Sequence, residues 1–246
     1  MKRILLIAVL LGTMITATTY FVCIAAPSVL FGKGIKGSGN IVTRTIDAPD
    51  FDRVDAARAV KVVITGKATG KITIEADDNI MEYVVVEAKG GRLTATIDKS
   101  VNNVSNADVT VTVPANGRIR ALDASSAARI DAAVKSTSCT VAASSASNIN
   151  AAIETGSCTV GASSASKITL KGSADKCSIN MSSAAKLSAA EFTVADCSVD
   201  TSSAAKATVN CTGKLRAEAS SGSSIRYTGD CQTSISKSSG GSVSRK

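Results

Sequence analysis

The sequence predicts an all-β chain wound as a parallel β-solenoid with coils of about 19 residues. Three observations predict it. A Ser-Ser-Ala/Gly step starts at Ser125, Ser144, Ser163, Ser182, Ser202, Ser220 and Ser238, at spacings of 19, 19, 19, 20, 18 and 18 residues. Columns move with it. Five residues after each serine stand Ile130, Ile149, Ile168, Leu187, Ala207, Ile225 and Val243. Three residues before stand Leu122, Val141, Val160, Ile179, Val199, Ala217 and Ile235. Composition is the third observation: 246 residues hold 4 Phe, 3 Tyr and no Trp, so the core lacks the large rings that usually fill it. Ala, Ser, Thr and Val suit thin stacked strands instead.

Taken in order, Met1-Lys2-Arg3 is a basic start, and Ile4 to Ala26 is mostly apolar. Residues 1–26 read as a secretory signal peptide or an N-terminal membrane anchor, with Cys23 a third possibility as a lipid-bearing residue. Each of these places the rest of the chain outside the cytoplasm, in the periplasm, at the cell surface or in the medium. Residues 37–246 read as one solenoid domain: an irregular N-terminal part over 37–118 and regular coils over 119–246. The irregular part alternates well in Lys61–Ile64, Lys71–Glu75, Tyr83–Val86, Leu93–Ile97 and Val109–Val113. Gly90-Gly91 predicts a hairpin or a bulge and Ala68-Thr69-Gly70 another turn.

In the regular part the unit reads C-x-V-x-A-S-S-A-x-K-I-x-A. Both arms alternate with period two, and the small Ser-Ser-Ala step turns the corner between them. One serine of each pair is expected to face inward. A third arm is expected to carry an inward column of Val134, Ile153, Leu170, Phe192, Val209 and Tyr227. At the far end Lys237 falls in a column that is otherwise Ala, Met or Thr, which marks the last coil.

Gly37-Ser38-Gly39-Asn40-Ile41-Val42, then Phe51-Asp52-Arg53-Val54, then KITIEADDNIMEYVVVEAKGGRLTATI and the Ser-Ser-Ala coils together resemble one known family. It is the bacterial auto-transporter adhesin head GIN-domain family, DUF2807, and the resemblance spans about residues 37–245. It implies a secreted right-handed β-helix on the bacterial cell envelope, with no catalytic residues to carry over. The stretch Val54-Asp55-Ala56-Ala57-Arg58-Ala59 departs from the family pattern, in which a glycine is more usual.

The chain has no His, which excludes Ser-His-Asp and Cys-His catalysis and His-ligated zinc. Cys139, Cys158, Cys177 and Cys197 form a column without any CxxC pair. They read as buried thiols, with a Cys211–Cys231 disulfide as an alternative. The corner serines lack a base and read as structural. Asp200 and Glu218 are neighbours in an outward column beside Arg216, on a face expected to be flat. They are a solvated ion-pair patch, a Ca²⁺ site or the only carboxylate pair for glycoside chemistry. Arg129, Lys167, Lys186 and Lys206 form a basic column interrupted by Asn148. It is either a solvated face or a contact for an anionic polymer. Thr140 and Thr159, followed by Ser178 and Ser198, make a small polar face.

The expected function is a non-enzymatic exported envelope protein, an adhesin head presenting a rigid repetitive surface to envelope or host glycans or to surface proteins. Arg129, Lys167, Lys186, Lys206, Thr140 and Thr159 are the candidate contacts. No cofactor, no metal and no nucleic acid is expected, and the membrane only through the N-terminal segment. A carbohydrate-active enzyme on a β-helix and a purely structural envelope protein remain as alternatives.

Overall fold

The computed structural model describes residues 34–65, 70–114 and 117–246. The expected signal or anchor segment lies outside them, as do Ala68 and Thr69 of the second predicted turn. The five long strands Arg129–Ala143, Asn148–Ala162, Lys167–Met181, Lys186–Thr201 and Lys206–Ala219 each pair in parallel with the next. The whole is a β-solenoid of about 7 turns. The repeat columns are the hydrogen-bonded register: Leu122, Val141, Val160, Ile179, Val199 and Ala217 stack, as do Ile130, Ile149, Ile168, Leu187, Ala207 and Ile225. All of them are buried. Each full burial of such a side chain is worth about 1.5–3 kcal/mol, and the stack realises it once per coil.

The corners are tighter than the alternation alone implies. At each, two consecutive residues take positive φ, such as Ser145 (φ 51) and Ala146 (φ 61). A bond from Ser147 N–H to Ser144 O closes the turn. Non-glycine residues in this region cost roughly 1–2 kcal/mol each. The ladder offsets that cost, because it continues through the turn: Ala146 N–H donates to Ser164 O of the next coil at 2.9 Å. The inward polar residue is therefore neither serine of the pair. It is the residue two after the pair: Ser147, Ser166 and Ser223, each 1% exposed, where other coils have Ala128, Ala185 and Ala205. Their hydroxyls donate to carbonyls of the preceding coil, Ser147 to Ala124 O at 2.7 Å and Ser166 to Ala143 O at 2.9 Å.

The third arm also differs from its predicted column. Val134 and Ile153 stack on Gly172 and then Phe192, whereas Leu170 stacks on Ala151 and Val209 on Ala189. The register shifts between Thr169 and Lys171. Two neighbouring columns exchange bulk: Ala151 with Ile153 in one coil, Leu170 with Gly172 in the next, Ala189 with Phe192 after that. Large and small residues thus alternate between the two columns, and Ile153, Leu170 and Phe192 are all buried.

The N-terminal part continues the same sheet. Leu93, Val54 and Leu122 are in parallel register, as are Val111, Val62 and Ile130. The departure from the family pattern is itself a corner, with Arg58 (φ 56) and Ala59 (φ 62) positive and Val60 N–H bonded to Ala57 O. Antiparallel strands supply the irregularity. Ile41–Asp47 lies on Lys71–Asp77, which lies on Val109–Pro114. Val84–Lys89 and Arg92–Ile97 form the predicted hairpin, with Gly90 and Gly91 both at positive φ. At the other end Gln232–Lys237 is exposed throughout, Lys237 included. Among the described residues no helix is long and apolar enough to cross a membrane.

Candidate binding surfaces

Two outward faces flank each serine corner. The arm after the corner carries the basic column. Arg129, Asn148, Lys167, Lys186, Lys206 and Ser224 are in register, so neighbours stand one ladder step apart, about 4.8 Å. Arg129 is neutralised: its Nε lies 3.1 Å from Asp131, which also accepts from Asn150 Nδ2 at 2.7 Å and faces Lys61 Nζ at 4.0 Å. Lys167, Lys186 and Lys206 have no carboxylate at ion-pair distance among the described residues. The column beside them is Thr169, Ser188, Thr208 and Arg226. Lys186, Ser188, Lys206, Thr208, Ser224 and Arg226 surround a shallow depression of ≈ 340 Å³. Arg226 was missed by sequence reasoning; counting the register two residues past the lysine column finds it.

The arm before the corner carries Thr140, Thr159, Ser178, Ser198 and Arg216 in one outward column. The next is Asp55, Asp123, Ala142, Gly161, Asn180, Asp200, Glu218 and Ser236. Thr140 and Thr159 are exposed but do not join the lysines, because the corner lies between them. This face is not flat. It carries a groove of ≈ 740 Å³ lined by Asp123, Ala142, Gly161, Asn180, Asp200 and Glu218 on the strands, with the first serine of each corner from Ser144 to Ser238 alongside.

From the neighbouring column Arg216 donates to Glu218 of the groove. Burial, and then the charge of Glu218 in the next coil, push the Asp200 carboxyl above the ordinary carboxylate range, with Arg216 opposing. Asp123 is raised by burial first and Asp55 second. For an acid whose folded pKa is raised, the penalty is absent below the unfolded pKa and grows as pH rises through the folded one. Asp200→Asn is therefore expected to raise the thermal midpoint at pH 7 and to give no gain at pH 3. A gain of equal size at both pH values would overturn that account.

The thiol column is internal. Cys139, Cys158, Cys177 and Cys197 are 3–4% exposed and in register, and all six described cysteines, Cys211 and Cys231 included, are free. Burial pushes the Cys139 thiol up to about 12 and Cys211 to about 11. Hydrogen bonds to Cys158 and Cys197 raise Cys177. Such thiols pack and do not react. No group of three or more metal-ligating side chains occurs among the described residues.

The fold and its surfaces define the class: a parallel β-solenoid with long, periodic, solvent-facing ladders. The profile of the family described as "Putative auto-transporter adhesin, head GIN domain" matches residues 50–231, and the chain belongs to that family. Solved structures share the fold. A "putative adhesin" from Bacteroides fragilis NCTC 9343 is 20% identical with a TM-score of 0.75, covering 87% of this chain and 100% of that one. A "putative adhesin" from Parabacteroides merdae ATCC 43184 is 18% identical with a TM-score of 0.68, covering 87% and 99%. A "putative lipid binding protein" from Parabacteroides distasonis ATCC 8503 is 19% identical with a TM-score of 0.67, covering 87% and 100%. None of the curated proteins matches this chain.

Proposed function

We propose that this chain is a non-enzymatic adhesin-type module, held outside the cytoplasm, that grips anionic polysaccharide along Lys167, Lys186 and Lys206. One observation carries the reading: three lysines stacked at strand spacing with no carboxylate beside them, flanked by the Thr169–Ser188–Thr208 hydroxyls and Arg226. Like charges in adjacent strands repel, so the ladder is destabilising until a polyanion lies along it. Several weak contacts along a stiff polymer then add. The carboxylates argue against hydrolysis. Asp200 and Glu218 are ladder partners side by side in one column, with Glu218 bonded to Arg216, whereas glycosidases place their pair on either side of the scissile bond.

The test is affinity electrophoresis of the chain through gels containing polygalacturonate. Wild type is expected to be retarded at low salt, less so as salt screens the contacts. The combined variant Lys167→Gln, Lys186→Gln, Lys206→Gln is expected to lose at least tenfold in affinity. Equal retardation of both proteins, or free migration of wild type, would sink the proposal. A cleared track would establish an enzyme instead.

A further inference from the structure

The groove on the opposite side of the corners has features the lysine ladder does not explain. Its floor is bare in the middle. Gly161 is the penultimate residue of Asn148–Ala162, paired with Ala142 and Asn180 in the ladder, where a β-branched residue would stabilise the strand by up to about 1 kcal/mol. Other glycines of the stack are required by contact: a Cβ on Gly172 would lie 2.2 Å from Ile153 O, and one on Gly213 would lie 2.7 Å from Ala195 O. At Gly161 a Cβ would meet nothing within 4 Å, and its φ is not in the left-handed region. No internal contact demands this glycine. What a side chain there would do is fill the groove. A ladder-paired glycine that is neither bulged nor crowded fits a place where a ligand approaches the backbone closely.

The sides of the groove are polar and periodic. Ser144, Ser163, Ser182, Ser202, Ser220 and Ser238 line one side, a row rising about 4.8 Å per coil. Their hydroxyls make no hydrogen bond to other described residues. Asp123, Asn180, Asp200 and Glu218 supply acceptors, and Asn180 a donor, along the floor column on either side of Ala142 and Gly161. The cleft runs along the solenoid axis through several coils, which suits a linear polymer and not a compact ligand. Hydroxyls and amides that repeat with the ladder match a chain that repeats hydroxyls, and the Ala142–Gly161 floor matches a sugar ring's C–H face. The carboxylates disfavour an acidic polymer in this groove.

We infer that the groove binds a linear glycan that is uncharged or bears amino groups, laid along the axis with its rings over Ala142 and Gly161 and its hydroxyls against the corner serines and Asn180. The solenoid then sorts sugars by charge: acidic strands to the lysine ladder, neutral or amino strands to the groove. This site stands independently of the lysine ladder and can fail without it.

The experiment is a set of amide proton–nitrogen correlation spectra of the chain, titrated to millimolar concentrations with cellohexaose, N-acetylchitohexaose and the glucosamine hexamer. At least one is expected to shift the amides of Ala142, Gly161, Ser163 and Asn180. Gly161→Leu is expected to fold with a thermal midpoint no lower than wild type and to bind that saccharide at least tenfold more weakly. Asn180→Ala, a smaller change, is expected to weaken it several-fold. The triple lysine variant is expected to bind it as wild type does. Absence of shifts at those amides with all three saccharides overturns the inference, as does undiminished binding by Gly161→Leu. Shifts with hexalysine in place of the saccharides also overturn it, in favour of a basic peptide.

Discussion

Alanine in place of Gly172 is expected to lower the unfolding free energy by about 2–5 kcal/mol, a strained backbone added to an overpacked contact. Gly172 has φ 103, a conformation L side chains rarely adopt. An added Cβ would also lie 2.2 Å from Ile153 O and 3.0 Å from Ile153 C, both backbone atoms of the preceding coil. Backbone in a ladder cannot swing aside as a side chain can, so either the Ile153–Gly172 step opens or the bulge after Thr169 is lost. Phe192, 1% exposed, stacks on the same position from the other side and would be displaced with it. Stability in a solenoid is close to a sum of neighbouring-coil terms, so a fault in mid-stack also uncouples the two halves. Urea unfolding of Gly172→Ala is expected to show a lower midpoint and a shallower slope than wild type. Gly161→Leu, one coil away, is expected to show neither. If Gly172→Ala unfolds within 1 kcal/mol of wild type, the close approach at Ile153 is not a constraint on the fold.

The pair of glycines also marks what the sequence could and could not reveal. Period, register and inward columns were legible because identical contacts recur each coil: Val141, Val160 and Ile179 must be alike to stack, and they announce themselves. The lysine ladder was legible for the same reason, since each lysine stands four residues after its corner serine. Its lack of counter-charge was not, because Asp131 had first to be placed beside Arg129 and Lys61. The corners misled, because two residues at positive φ break the alternation and hand the inward position to Ser147 and Ser166. The corner at Ala57-Arg58-Ala59-Val60 was invisible because it makes the same turn without serine. The third arm misled because bulk passes between columns, Leu170 compensating for Gly172, so that no single column keeps its residue type. The groove could not be read at all: outward residues at Ala142 and Gly161 look the same on a flat face as in a cleft, and only the three-dimensional placement of the strands and corner serines distinguishes them.

A different kind of contact holds the irregular end, and its removal is expected to cost nearly as much as the fault at Gly172. Asp77 is 1% exposed and its carboxylate accepts from Gly39 N–H at 2.6 Å and Asp108 N–H at 2.9 Å. Three segments meet there, because Gly37 packs where a Cβ would lie 2.3 Å from Asn106 O and 2.7 Å from Asp77 Oδ2. Asp77→Ala removes the acceptor from two partly buried donors, at most about 1–3 kcal/mol each. Asp77→Asn keeps one acceptor but turns an amide donor toward an N–H, so it is expected to fall between alanine and wild type. The neighbouring Asp78 is exposed. Its carboxyl is held below the ordinary range by Ser38 first, then by Asn40 and the Asn79 N–H, and Asp78→Ala is expected to have the smaller effect. Hydrogen exchange separates local from global loss. Asp77→Ala is expected to strip protection from Gly39, Asp108 and the Gly34–Lys36 pairing with Asn103–Ser105, while Lys186–Thr201 keeps its own. The reason is that neighbouring-coil coupling passes through the sheet at Val54 and Leu122, which Asp77 does not touch. Equal loss of protection in Lys186–Thr201 would mean instead that the antiparallel end and the regular coils unfold as one unit, with Asp77 setting the stability of both.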